Sequence, residues 1–96
     1  LKKLGTYKIT GYCACSSCCG KNTGMTASGT RATAGRTIAA DTSQLPFGTK
    51  VVIQGHTYVV EDVGGAVKGN HIDMFFSSHS KALKWGVRYC DVYLAQ

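Results

Sequence analysis

Acidic residues are scarce in this chain: five Asp and Glu stand against eleven Lys and Arg, a formal net charge of +6 over 96 residues. That balance excludes an acidic surface and favours attraction to a polyanion such as nucleic acid, anionic lipid or an anionic wall polymer. Proline occurs once, and neither an internal repeat nor a low-complexity linker is present, which fits one globular domain spanning 1–96. No apolar run approaches the roughly 18 residues that a membrane-spanning helix needs. The opening Leu1-Lys2-Lys3-Leu4 carries no signal peptide, as expected of a mature product or a domain excised from a larger secreted protein. The basic residues, among them Lys8, Arg36, Lys50, Lys68 and Arg88, are scattered singly without an aromatic platform, so no nucleic-acid partner is expected.

What is present points to strands. Twelve glycines, with many threonines and valines, favour short strands and tight turns over long helices. Strands are predicted at Thr6–Tyr12, Thr37–Ala40, Ile72–Phe76 and Tyr89–Leu94, and a hairpin over Lys50–Glu61 turning at Gln54-Gly55. Residues 20–36 read as irregular with at most one short strand. One helix is expected over Ser78–Trp85, with serine at its start and Gly86 after its end. Six strands and one helix in so short an all-β chain imply a closed barrel, because closure removes exposed edges. Trp85 and Leu83 are expected to pack the helix onto the core.

Four of the five cysteines cluster in Tyr-Cys13-Ala-Cys15-Ser-Ser-Cys18-Cys19-Gly, and the fifth is Cys90. Disulfides or structural thiols are the simpler reading, with connectivity open. A zinc knot is the alternative, although adjacent cysteines reach one tetrahedral ion with difficulty and a second Cys-X-X-Cys pair is missing. The three histidines lack metal-ligand spacing, and neither a metal nor a cofactor is expected. His56 and His79 read as surface residues, and His71 as a weak substrate contact on the strand face opposite Asp73.

The few acids hold the chemistry. Asp41 follows a short apolar strand, and Asp62 and Asp73 bracket Asp62-Val-Gly-Gly-Ala-Val-Lys-Gly-Asn-His-Ile-Asp73. Glycines there permit close backbone approach, and two carboxylates joined by such a loop are natural acid and base candidates. Asp41, followed by Thr-Ser, also fits a turn-forming role. The amides of Gly64, Gly65 and Ala66, the Lys68 ammonium, Tyr12 and Thr26 are candidates to line a substrate groove beside these acids.

These segments, together with Leu45-Pro-Phe-Gly-Thr49 and Ala82-Leu-Lys-Trp-Gly-Val-Arg-Tyr-Cys-Asp-Val-Tyr93, resemble the three-aspartate (3D) domain of Gram-positive stationary-phase survival proteins. They are also similar to the catalytic barrel of membrane-bound lytic transglycosylase A. The resemblance runs from about Thr6 to Leu94 and implies a double-psi β-barrel. It further implies a peptidoglycan lytic transglycosylase, with Asp73 as catalytic acid and base, Asp62 as its partner and Asp41 as the third family aspartate. Some relatives carry threonine or valine at the cysteine positions, so no catalytic role passes to the thiols. The implied partners are glycan strands or muropeptides, and the implied location is secreted or wall-associated. A non-catalytic wall-binding module on the same barrel is the alternative, and strand exchange into a homodimer is left open.

Overall fold

The computed structural model describes residues 1–13 and 25–95. The strands are β1 (Lys2–Tyr12), β2 (Thr37–Ala40), β3 (Lys50–Ile53), β4 (His56–Asp62), β5 (His71–Phe75) and β6 (Arg88–Leu94). Helix α1 (His79–Trp85) lies between β5 and β6. The strands close into a barrel in the order β1-β5-β2-β4-β3-β6. Pairs β1–β5 and β2–β4 run parallel, and the remaining neighbours are antiparallel. The all-β closed barrel with one short helix is therefore as the sequence predicts.

Alternation along the strands explains the closure. Ile9, Ile38, Val51, Ile53, Val60, Ile72 and Val92 point inward and are fully buried. These β-branched side chains suit a pleated surface and fill the lumen together with Tyr7, Leu45 and Met74. A second, smaller apolar cluster lies on the outside of the wall and comprises Tyr12, Ala39, Val67 and Phe75.

Local signals set most boundaries. The β3–β4 hairpin turns at Gln54 and Gly55, both at positive φ (52° and 76°), as a two-residue primed turn requires. Ser78 caps α1 by accepting from the Lys81 amide at 3.2 Å, and Gly86 (φ 65°) ends it by donating to the Ala82 carbonyl at 3.3 Å. α1 packs close on β1 because Gly11 has no side chain: a Cβ there would sit 2.8 Å from Phe76 and 3.1 Å from the Ala82 carbonyl.

Two expectations need correction. β1 begins four residues earlier than predicted, since Lys2–Gly5 pair with β6 around a bulge despite their weak strand composition. Leu83 is 67% exposed; Ala82 is the buried residue of α1. Trp85 does pack inward, against Phe76, donating its Nε1–H to the Ile9 carbonyl at 3.1 Å beneath the Arg88 guanidinium.

Candidate functional site

Strand register builds the site. Asp73 on β5 is paired with Thr10 of β1 on one side and Ala39 of β2 on the other. Ala39 is in turn paired with Asp62 of β4. Directly paired residues share a face, so Thr10, Asp73, Ala39 and Asp62 form one row across four strands. With neighbouring strands about 4.8 Å apart, the two aspartate backbones lie roughly 10 Å from each other across the smallest side chain in the row. Ala39 is only 3% exposed, packed among Tyr12, Val67 and Phe75.

A bulge decides which acid joins the row. The β2–β4 register runs Thr37 with Val59 and Ile38 with Val60, then skips Glu61 so that Ala39 meets Asp62. An extra residue in one strand re-aims the side chains beside it. Glu61 turns away, 5% exposed, and accepts from Thr37 Oγ1 at 2.7 Å while pairing with the Arg36 guanidinium at 3.0 Å.

The two aspartates sit in different surroundings. Asp62 only accepts: from Tyr12 Oη at 3.0 Å, the Ala27 amide at 2.9 Å and the Val63 amide at 2.9 Å. Three donors hold its carboxyl group in a set orientation. Asp73 is half-buried and has one side-chain hydrogen-bond partner among the described residues, Thr10 Oγ1 at 3.0 Å. Burial holds its carboxyl above the ordinary carboxylate range; the Thr10 hydrogen bond and the His71 charge pull it down, and the nearby Asp62 charge pushes it up again. A raised acid beside a fixed anion is the division of labour expected of an acid–base pair.

The remaining predicted residues surround this row. Tyr12 is buried, stacked edge-on against Phe75, and serves as a donor to Asp62. Thr26 is buried inside the turn bridged by Met25 and Arg31, with its hydroxyl bonded to Thr30 and Ser28. It supports the turn whose next amide, Ala27, reaches Asp62. Asp41 stands just past β2. Its carboxylate accepts from Ser43 at 2.7 and 3.1 Å and from the Gly69 amide at 2.9 Å, bonds that lower its pKa to about 2. It thereby ties down the glycine loop. In that loop Gly64 accepts from the Val67 amide at 3.1 Å, and a Cβ on Gly64 would meet Val67 at 2.9 Å. Gly65 has open space around it, and Lys68 is exposed.

His71 is corrected. Residues two apart on a strand share a face, and the His71 ring lies beside Asp73, joined to it through Thr10: Thr10 Oγ1 is 2.8 Å from His71 Nε2. Thr10, Ala39 and Glu61 had no local sequence signal, because each owes its role to a partner on another strand. Of the cysteines, Cys15, Cys18 and Cys19 lie outside the described residues, so the disulfide and zinc readings go with them. Cys13 is buried with its Sγ 3.8 Å from His79 Nδ1, and Cys90 is half-buried with the Gln54 amide 3.7 Å from its Sγ. Among the described residues no three metal-ligating side chains gather, and no helix is long and apolar enough to cross a membrane. A shallow groove of about 580 Å³ lined by Val52, Gln54, Tyr89 and Tyr93 includes none of the row.

The fold and site together are a small closed barrel that carries a half-buried acid next to a hydrogen-bonded carboxylate on its outer wall. Comparison with known proteins supplies the family. Residues 36–96 match the profile of the 3D domain, and the chain belongs to the 3D domain family. It is 39% identical over 89 residues to YabE of Bacillus subtilis (strain 168), named as a cell wall shaping protein, covering 88% of this chain and 21% of that one. It is 43% identical over 58 residues to the cell wall-binding protein YocH of the same organism, covering 59% and 20%. The chain thus spans about a fifth of the length of these relatives. Among solved structures it is similar to MltA from Escherichia coli, described as a lytic transglycosylase, with TM-score 0.66 and 26% identity over 75% of this chain and 27% of that one. MltA with bound chitohexaose shares the fold at TM-score 0.63 and 24% identity, covering 73% and 27%.

Proposed function

We propose that the domain is a peptidoglycan lytic transglycosylase that cleaves the MurNAc–GlcNAc β-1,4 bond and leaves a 1,6-anhydro-MurNAc end. The observation that carries this reading is the row Thr10–Asp73–Ala39–Asp62, in which a raised acid stands beside a fixed anion. Hydrolysis needs a second group to activate water. An intramolecular transfer needs one group twice. Asp73 gives its proton to the glycosidic oxygen as the C1–O bond breaks; the 6-hydroxyl oxygen of the same muramyl ring then bonds to C1, and its proton returns to Asp73. No water is consumed. Asp62, held by Tyr12 and two amides, opposes the positive charge that develops at C1 and favours the protonated form of Asp73.

The other residues take supporting roles in this reading. The amides of Gly64 and Gly65 and the Lys68 ammonium are contacts for the acetamide and acidic groups of a glycan strand or muropeptide. Asp41 and Thr26 act through the loops they hold. The similarity to wall proteins supports a location at the cell wall, reached by secretion. Digestion of purified wall followed by mass spectrometry tests the proposal: the expected products are lighter by one water than hydrolytic ones, and Asp73→Asn yields none while keeping its circular dichroism.

A second reading is a wall-binding module without turnover. The net charge of +6 and the similarity to a cell wall-binding protein favour it. Retention on wall material with no anhydro product from the wild type selects it.

A further inference from the structure

Thr10 has one hydroxyl proton and two partners that compete for it. Its Oγ1 lies 2.8 Å from His71 Nε2 and 3.0 Å from Asp73 Oδ1, with the Ile72 carbonyl a longer third contact at 3.5 Å. On the far side of the ring, His71 Nδ1 is 3.1 Å from the Ala66 carbonyl. A carbonyl only accepts, so Nδ1 carries a hydrogen, and in the neutral ring Nε2 is then a bare acceptor. It takes the Thr10 proton, and the Thr10 oxygen is left to accept from a protonated Asp73. In the charged ring both nitrogens donate: Nε2–H points at Thr10, and the Thr10 hydroxyl turns to an Asp73 carboxylate. The two arrangements contain the same number of protons. They differ by a concerted shift of one proton from Asp73 to Thr10 and of another from Thr10 to His71.

We propose that Thr10 couples Asp73 to His71 as a three-residue proton relay, with His71 a positioning residue that sets which protonation state of Asp73 the site favours. The inference rests on Asp73 being the acid of the proposed reaction. Its physical content is a count. A neutral His71 with an ionised Asp73 leaves two acceptors facing one proton, so one hydrogen bond is lost; every other combination satisfies both partners. With a neutral His71 the relay therefore favours the proton-bearing form of Asp73, the form that starts the reaction, by the worth of one hydrogen bond.

Among the described residues the charged neighbours are few. On β1 Lys8 is the register partner of His71, and on β5 itself Asp73 is the nearest acid. At the end of β2, Asp41 continues the register toward His71 while its carboxylate stays on Ser43 and Gly69. Asp62 on β4 faces the relay across Ala39, and Lys68 lies in the loop that supplies the Ala66 carbonyl.

Imidazole ¹⁵N NMR on this chain, without any glycan, reads the relay directly. The neutral His71 ring is expected as the Nδ1–H tautomer, and its titration is expected to contain a second inflection where Asp73 ionises. That inflection should vanish in Asp73→Asn and in Thr10→Val and return in Thr10→Ser. An Nε2–H tautomer, or a His71 titration identical in wild type and Asp73→Asn, overturns the proposal, whatever the fate of the Thr10 variants. In wall digestion, His71→Gln, which bonds Thr10 in either direction but does not titrate, should bring the alkaline limb of kcat/KM down by up to about one pH unit, the worth of one hydrogen bond. An unmoved limb also overturns it. A relay present by NMR in a protein without anhydro products leaves the relay standing and removes the enzymatic reading.

Discussion

Asp62 and Asp73 flank Ala39, one on the parallel and one on the antiparallel neighbour of β2, and a single-residue bulge puts Asp62 there in place of Glu61. Without that bulge the row would hold a longer acid bound for Arg36. The relationship separates two tasks that adjacent residues perform: Glu61 anchors the wall internally through Thr37 and Arg36, while Asp62 charges its outer surface.

Ala39→Val tests the spacing of that pair. Two added methyl groups enter a site already closed by Tyr12, Val67 and Phe75. The expected cost is about 1–3 kcal/mol in urea unfolding, together with loss of anhydro product out of proportion to the stability change, because the carboxylates are pushed apart.

Asp73 is expected to weaken the fold it serves. A carboxyl whose folded pKa is raised binds its proton more tightly in the folded state, so its contribution is present below the unfolded value near 4 and is lost as pH rises through the folded value. Asp73→Asn should therefore unfold at higher urea than wild type at pH 7, with the difference closing near pH 3.5. Equal midpoints at pH 7 would contradict the burial of the charge.

Asp41 has the opposite sign. Its folded pKa of about 2 lies below the unfolded value, so its stabilising effect is present above about pH 4 and fades as pH falls toward 2. Asp41→Asn should flatten that part of the acid-unfolding curve. Exchange of the Gly69 amide, measured by hydrogen–deuterium NMR, should quicken in the same variant, because Asn offers a weaker acceptor.

Tyr12→Phe removes one of three donors to Asp62 and leaves the ring packing on Phe75 intact. A fall of about tenfold in kcat, the equivalent of roughly 1.4 kcal/mol, is expected. Little change in KM should accompany it.

Gly11→Ala measures the closeness of α1 to the barrel. Its Cβ would meet both the Phe76 ring and the Ala82 carbonyl, and the backbone atom cannot move aside cheaply. Thermal unfolding should report a loss of about 1–3 kcal/mol.

The barrel was largely legible in the residues. Alternating β-branched positions, the Gln54-Gly55 turn and the Ser78–Gly86 bracket are local signals, and each produced the element expected of it. Partnership across strands was not legible. Nothing near Thr10 or Ala39 tells which β5 residue lies opposite, and nothing in Glu61-Asp62 tells which acid a bulge turns outward. The β5 periodicity by itself does put His71 and Asp73 on one face, so that relation was available from period two; their joint partner on β1 was not. Leu83 misled because Ala82 and Trp85, three apart, share the face of α1 that is turned to the barrel, and Leu83 falls outside it.

Strand β1 opens beside the end of β6, with Lys2 opposite Leu94. Any polypeptide joined at either terminus therefore departs from one corner, about 25 Å along the strand from Thr10 at an extended rise near 3.3 Å per residue. A tether at that corner would hold the barrel by the end of β1 remote from the row that Thr10 opens, most of a strand's length away.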